Sequence, residues 1–232
     1  MTAAEDDVIR AECEEWESGL HYPLTREEVG ALYDRVRADP DAWWRILQIL
    51  IAEATNYDQI RRLGMGPLRS TLECGEARLL DQAAFIARSS SKMASALMVG
   101  APCDREIDLF KLFGRDHVVE VWIRYHTTHD EFDFWAWEMA QGLVRDDPAE
   151  AWEFILSLVE KAPNSNMVDL IGAGLAEDFV MAHASTFIDR IEEEASRNGR
   201  FKEALASVWI MRLPPDLFDR IERAAGVPLR RV

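Results

Sequence analysis

The chain has 232 residues, 48% of them hydrophobic, with 26 Lys and Arg against 42 Asp and Glu for a net charge of −16. That is the composition of a folded protein with room for a sizeable core, not of a disordered one. The acidic balance counts against nucleic acid and anionic membrane surfaces as direct partners, because both repel it. No apolar run reaches the ~18 residues of a membrane span. Glu5, Asp6 and Asp7 are the opposite of the basic start of a secretory leader. Cys13, Cys74 and Cys103 are odd in number and lack metal-ligand spacing, which reads as a reduced, cytoplasmic chain.

The first 17 residues hold seven acids and one base. This N-terminal arm reads either as a solvated helix face or as an acidic docking surface. The next clear signal is Asp39-Pro40, an N-cap followed by proline at the first helical position. Trp44, Leu47, Leu50, Ile51 and Ala54 then recur at helical spacing and form one face. Asn56 falls in the following turn, a position that asparagine tolerates well. A short helix is expected to end at Leu63, Gly64-Met65-Gly66 to break the chain, and a new helix to start at Pro67. A longer helix covers about Ala77–Arg88. Ser89 and Lys92 have the Ser-x-x-Lys spacing of an acylating serine, but they stand in a helix–helix connection with no companion motif and read as structural.

Residues 104–160 hold fourteen acids and five bases. With the N-terminal arm they carry almost all of the net charge. Within them, Val118–Tyr125 fits a strand through Val119, Val121, Ile123 and Tyr125, or a helix through Val118, Val121, Trp122 and Tyr125. The helix is chosen. Thr128 and Glu131 stand at capping-box spacing and predict a helix from there to about Arg145. Phe132, Phe134, Trp135 and Trp137 crowd into the acidic run Asp130–Glu138 and cannot share one helical face. Phe132, Trp135 and Met139 form one side, Phe134 and Trp137 the other. The segment reads as packing core between two halves of the chain, or as an exposed binding surface, since aromatics dominate interface energy.

Shifting the chain by 108 residues lays residues 36–97 on 144–205 without a gap, with about one position in four identical. Asp39, Pro40, Trp44, Leu50, Ala54, Asn56, Gly64, Gly66 and Asp81 meet Asp147, Pro148, Trp152, Leu158, Ala162, Asn164, Gly172, Gly174 and Asp189. Duplication of a helical unit is the expectation. The second copy then has its first face in Trp152, Ile155, Leu158, Val159 and Ala162, its glycine break at Gly172-Ala173-Gly174, and a long helix around Thr186–Arg197.

His117, Glu120, His126 and His129, near Asp116, Asp130 and Glu131, are residue types that hold zinc or another divalent ion. No zincin pattern and no Glu-x-x-His motif is present, and Thr127-Thr128 between the histidines reads more as a loop than as a ligand helix. Surface histidines near a helix cap are the plainer reading. The Gly-x-Gly elements follow no predicted strand and lack the Lys-Ser/Thr of a phosphate loop. Glu177 and Asp178 already satisfy the helix dipole after the second one. Cys74 and Cys103 have no neighbouring base to activate a nucleophile. Glu192-Glu193-Glu194, balanced by Arg197, Arg200 and Lys202, reads as a solvated helix face.

The stretches Trp152–Leu156, Gly172–Asp178 and Phe187–Ile191 resemble a bacterial family of short helical domains of unknown function, over about residues 132–212. The family pattern places Pro-Leu-Glu-Asp after the glycines. The second copy has Leu175-Ala176-Glu177-Asp178 there, and the first has Pro67-Leu68-Arg69-Ser70. The resemblance implies a helical fold and brings no activity.

Together these signals predict an all-α protein of two homologous multi-helix repeats packed side by side: residues 1–103 with the acidic arm, and residues 104–232 led by the aromatic and acidic segment. The expected function is that of a non-enzymatic, cytoplasmic protein-binding protein that needs no cofactor. It would dock a basic protein partner, most concretely as an immunity or inhibitor protein for a bacterial toxin. Asp130, Glu131, Asp133, Phe134, Trp135, Trp137 and Glu138 are the expected contact residues. One alternative is a metal-dependent hydrolase built on His117, Glu120, His126 and His129. Another is a local nucleic-acid mimic.

Overall fold

The computed structural model describes residues 3–18, 26–75, 77–101, 108–210 and 213–231; Cys103 lies outside them. The described residues are helical almost throughout. Their one strand pairing joins β1 (Trp209–Ile210) in parallel to β2 (Arg230–Arg231). None of their helices is long and apolar enough to cross a membrane. The chain divides into two compact units: Met1–His117 with His129–Trp135, and Val118–Thr128 with Ala136–Val232. Segment His129–Trp135, counted from sequence with the second repeat, therefore falls in the first unit.

The first unit runs α1 (Ala3–Ser18), α2 (Arg26–Ala38), α3 (Pro40–Glu53), α4 (Tyr57–Leu63), a π turn (Gly64–Leu68), α5 (Arg69–Cys74), α6 (Ala77–Ala87), α7 (Ser91–Gly100) and α8 (Leu109–Phe113). Caps set the starts. Asp39 accepts from Ala42 N at 2.9 Å, with Pro40 at the first position where no N–H is needed. Asn56 and Gln59 form a reciprocal capping box, so Asn56 is a cap rather than a plain turn residue. Ser90 caps α7, and Lys92 Nζ donates to Ala52 O at the end of α3, which gives the Ser-x-x-Lys stretch a structural role. Trp44, Leu47, Leu50, Ile51 and Ala54 are all buried. α1 packs on α3 and α4 and buries Cys13 completely. Several charges of the arm are answered within the unit: Asp6 by Arg45, Glu12 by Arg35, and Arg10 by Glu53.

The second unit takes most of α9 (Arg115–Thr128), then α10 (Phe134–Asp146), α11 (Pro148–Lys161), α12 (Ser165–Ile171), a second π turn (Gly172–Ala176), α13 (Glu177–Arg197), α14 (Gly199–Ala206) and α15 (Pro215–Ala225). Trp152 anchors its core. Its ring lies 5.7 Å from Phe179, 6.0 Å from Phe187 and 5.3 Å from Phe201, with Arg190 over its face at 5.3 Å. α15 buries Phe218, Ile221 and Ala225 and packs on α13 and α14. Arg220 on α15 reaches Asp189 and Glu192 on α13, each at 2.5 Å. That hydrogen bond holds the Glu192 carboxyl below the usual range.

Starts in the second unit recur 108 residues after those in the first: α2 and α10, α3 and α11, α4 and α12, the two π turns, α5 and α13, α7 and α14. Single contacts recur as well. Lys92 Nζ donates to Ala52 O, and Arg200 donates to Glu160 O at 2.9 Å.

The Gly-x-Gly elements are not the chain breaks expected from sequence. Gly64 and Gly172 keep right-handed helical angles, and each π turn carries one helix straight into the next. The reason is tertiary. A Cβ on Gly64 would stand 2.7 Å from Ala96 O, and one on Gly172 would strike the matching carbonyl of Ala204. The glycines admit the backbone of α7 and α14, and the helix widens there instead of stopping. The helix expected to start at Leu175 and the longer one expected around Thr186–Arg197 are accordingly one continuous helix, Glu177–Arg197, whereas Gly75 separates α5 from α6 in the first unit.

Candidate functional site: the aromatic and acidic segment

α9 is a helix through both Thr127 and Thr128, so the stretch read as a loop is helical. The two hydroxyls donate back to Ile123 O and Arg124 O at 2.8 and 3.0 Å. Thr128 is therefore not an N-cap, and the expected capping box with Glu131 does not form. Asp130 instead accepts from Phe132 N at 3.0 Å and starts a 3-10 turn, Glu131–Asp133, that leads into α10 at Phe134. Glu131 turns the other way and accepts from Tyr57 N at 3.0 Å, where its charge meets the N-terminal end of α4.

Between the two helices His129 adopts φ 56°, the left-handed region that suits glycine at a helix end. Relief of this strain exceeds the extra chain entropy that glycine brings to the unfolded state. His129→Gly is expected to raise the unfolding free energy by about 0.5–1 kcal/mol, measurable by urea denaturation.

The aromatics of this segment close the first unit. Ser95 Oγ donates to Phe132 O at 2.7 Å, and Lys92 Nζ sits 5.1 Å from the Phe132 ring centroid. Phe134 meets Tyr57 edge-on at 6.0 Å, and Trp135 packs on Phe113 at 4.7 Å and stacks with His117 at 6.0 Å. Of the seven expected contact residues, Trp135 is 0% exposed and Asp133 1%. Both are interior groups, which corrects their place in the expected partner surface: their side chains pack inward. Phe134, Trp137 and Glu138 are half-buried, and Asp130 and Glu131 are exposed. The indole N–H groups of Trp122 and Trp135 are buried without a hydrogen-bond acceptor, each at an expense of about 1–3 kcal/mol relative to a satisfied donor.

Of the histidines, His117 and His126 pack on aromatic rings, while His129 is exposed. His126 lies 4.0 Å from Trp122 and 5.0 Å from Tyr125 between ring centroids. Glu120 faces Lys161 at 3.8 Å. Among the described residues no group of three or more His, Cys, Asp or Glu side chains is gathered to hold a metal ion. Burial pushes the Cys74 thiol up, the wrong direction for a nucleophile. Asp108 is held low by the backbone N–H of Lys111 at the start of α8.

Residues 124–227 match the model of a family of unknown function, DUF6869. The DUF6869 match begins within α9 and runs past the end of α15, so it takes in the second π turn, the Trp152 cluster and the Arg220 clasp. It is wider at both ends than the resemblance read from sequence. No curated protein and no solved structure matches the chain.

One surface feature escaped the sequence reading and lies outside the DUF6869 match. Phe85 is 74% exposed on α6, and Ile49 is 43% exposed on α3. The signal was available: the 108-residue shift pairs Phe85 with Glu193 and Ile86 with Glu194. Apolar residues stand there in one unit where acids stand in the other.

Proposed function

We propose that the protein is a non-enzymatic, cytoplasmic recognition protein that docks a basic protein partner, in the manner of an immunity or inhibitor protein for a bacterial toxin. The observation that carries this reading is how charge is used. Arginines are engaged at home: Arg78 with Asp41, Arg190 with Glu153, Arg197 with Glu194, and Arg220 with Asp189 and Glu192. The net −16 is then left as carboxylates on the surface. Such a surface attracts a basic protein and speeds the encounter. We also read the two units as descendants of one duplicated helical repeat. The shared offset of 108 residues in helix starts, caps and the cation-to-carbonyl contacts at Ala52 and Glu160 supports that descent.

A pull-down from the native host tests the reading. A basic protein is expected, and its retention should fall as salt is raised and with Asp130→Lys and Glu138→Lys together. Recovery of no protein partner, or of one indifferent to both salt and charge reversal, overturns it.

A further inference from the structure

Gln48 on α3 and Asp81, Gln82, Phe85 and Ile86 on α6 line an open cavity of about 330 Å³ in the first unit. Trp44 Nε1 donates to Gln82 Oε1 at 2.8 Å and fixes one wall. Phe85 exposes apolar surface there, while Asp81 is exposed and makes no ion pair among the described residues. The matching face of the second unit is different. Glu193 and Glu194 stand in place of Phe85 and Ile86, and Arg197 engages both. Asp189, which matches Asp81, receives Arg220 from α15 at 2.5 Å. In the first unit the residue 108 positions before Arg220 is Leu112, on the five-residue α8. α8 packs against α6, Arg88 just past the end of α6 donates to Leu112 O at 3.0 Å, and the lysine of α8, Lys111, pairs with Asp108. One unit thus carries a helix face answered by an arginine-bearing amphipathic helix. The other carries the matching aspartate with no ion pair among the described residues, beside the exposed ring of Phe85.

We propose that the α3–α6 groove docks an arginine-bearing amphipathic helix of a partner protein, its arginine meeting Asp81 and its apolar side covering Phe85, an inference that rests on the recognition reading above. This is the helix-in-groove mode, with the aromatic as anchor and the ion pair setting orientation.

The probe is a synthetic amphipathic helix with leucines along one face and flanking arginines; a counterpart carries glutamates instead. Both are titrated against the full chain by fluorescence anisotropy. The arginine helix is expected to bind, and Phe85→Glu and Asp81→Lys each to weaken it by about tenfold or more. The glutamate helix is expected to bind far more weakly. Phe85 and Asp81 are exposed, so circular dichroism should show both variants folded. The same charge change at exposed Asp216 on α15 is the control and should leave binding nearly unchanged. Equal binding to the wild type and to Phe85→Glu overturns the groove as the site. If Asp216→Lys weakens binding as much as Asp81→Lys does, attraction is diffuse: the groove fails while acidic recognition stands. No binding of the arginine helix also overturns the groove, and the pull-down then decides the wider reading on its own.

Discussion

Gly172→Ala is expected to lower the unfolding free energy by about 3 kcal/mol, whereas Gly174→Ala two residues on should be neutral or stabilising by up to about 1 kcal/mol. A Cβ at Gly172 would run into Ala204 O and stand 2.9 Å from both Ala204 C and Ser207 Cβ. Two of these are backbone atoms of α14. Ala204 O is also held as the acceptor of Ser207 N at 3.0 Å, so it cannot swing aside without disturbing the end of that helix. A Cβ at Gly174 meets nothing within 4 Å. Alanine there keeps the helical backbone and removes freedom from the unfolded chain. The pair is checked by urea denaturation of both variants beside the parent. Equal effects would mean that the π turn is not held by the close approach of α14. Gly64→Ala should repeat the loss in the first unit, because Ala96 O stands 2.7 Å from its Cβ position.

The second large effect is expected at Trp152. Trp152→Ala should lose about 3–5 kcal/mol, because truncation removes the buried ring and leaves a cavity that the neighbours fill only in part. Three phenylalanines, Phe179, Phe187 and Phe201, pack around that ring from α13 and α14, so three helical elements lose contacts at once. Arg190 would lose the face it covers. Trp152→Phe keeps an aromatic at the centre and should lose markedly less. The measurement is again the denaturation midpoint. A loss below about 1 kcal/mol for the alanine variant would show that the cluster is not the keystone of the second unit.

Most of the helical architecture was legible in the chain because local chemistry decides it. Asp39-Pro40 and Asp147-Pro148 announce helix starts by side-chain capping and by a fixed φ, both settled within one turn. The stripe Trp152, Ile155, Leu158, Val159 and Ala162 is buried as its spacing predicts, since period and burial are coupled in any helix with one wet side. Thr128 with Glu131 shows the limit of such reasoning. The spacing was right for a cap, but α9 continued through the threonines, and Glu131 found its partner in Tyr57, far away in sequence.

The site was less legible than the fold. Trp135 and Trp137 are two residues apart with the same acidic surroundings, yet one is fully buried and the other half-exposed. Which indole packs inward depends on where Phe113 arrives, and no local pattern encodes that. Phe85 gave the converse case, an aromatic on a good amphipathic helix whose neighbours left it bare.

What the sequence determined by itself is the helix class, the main caps, the buried stripes, the net charge and the 108-residue spacing, because each follows from groups within a few turns or from composition alone. Long-range packing, by contrast, sets where two backbones meet. There Gly64 and Gly172 turn an expected break into a continuous π turn. There also Asp133 and Trp135 leave the surface, and Asp81 makes no ion pair among the described residues where Asp189 holds an arginine. Such outcomes depend on contacts between residues far apart in the chain, whose energies no local window contains.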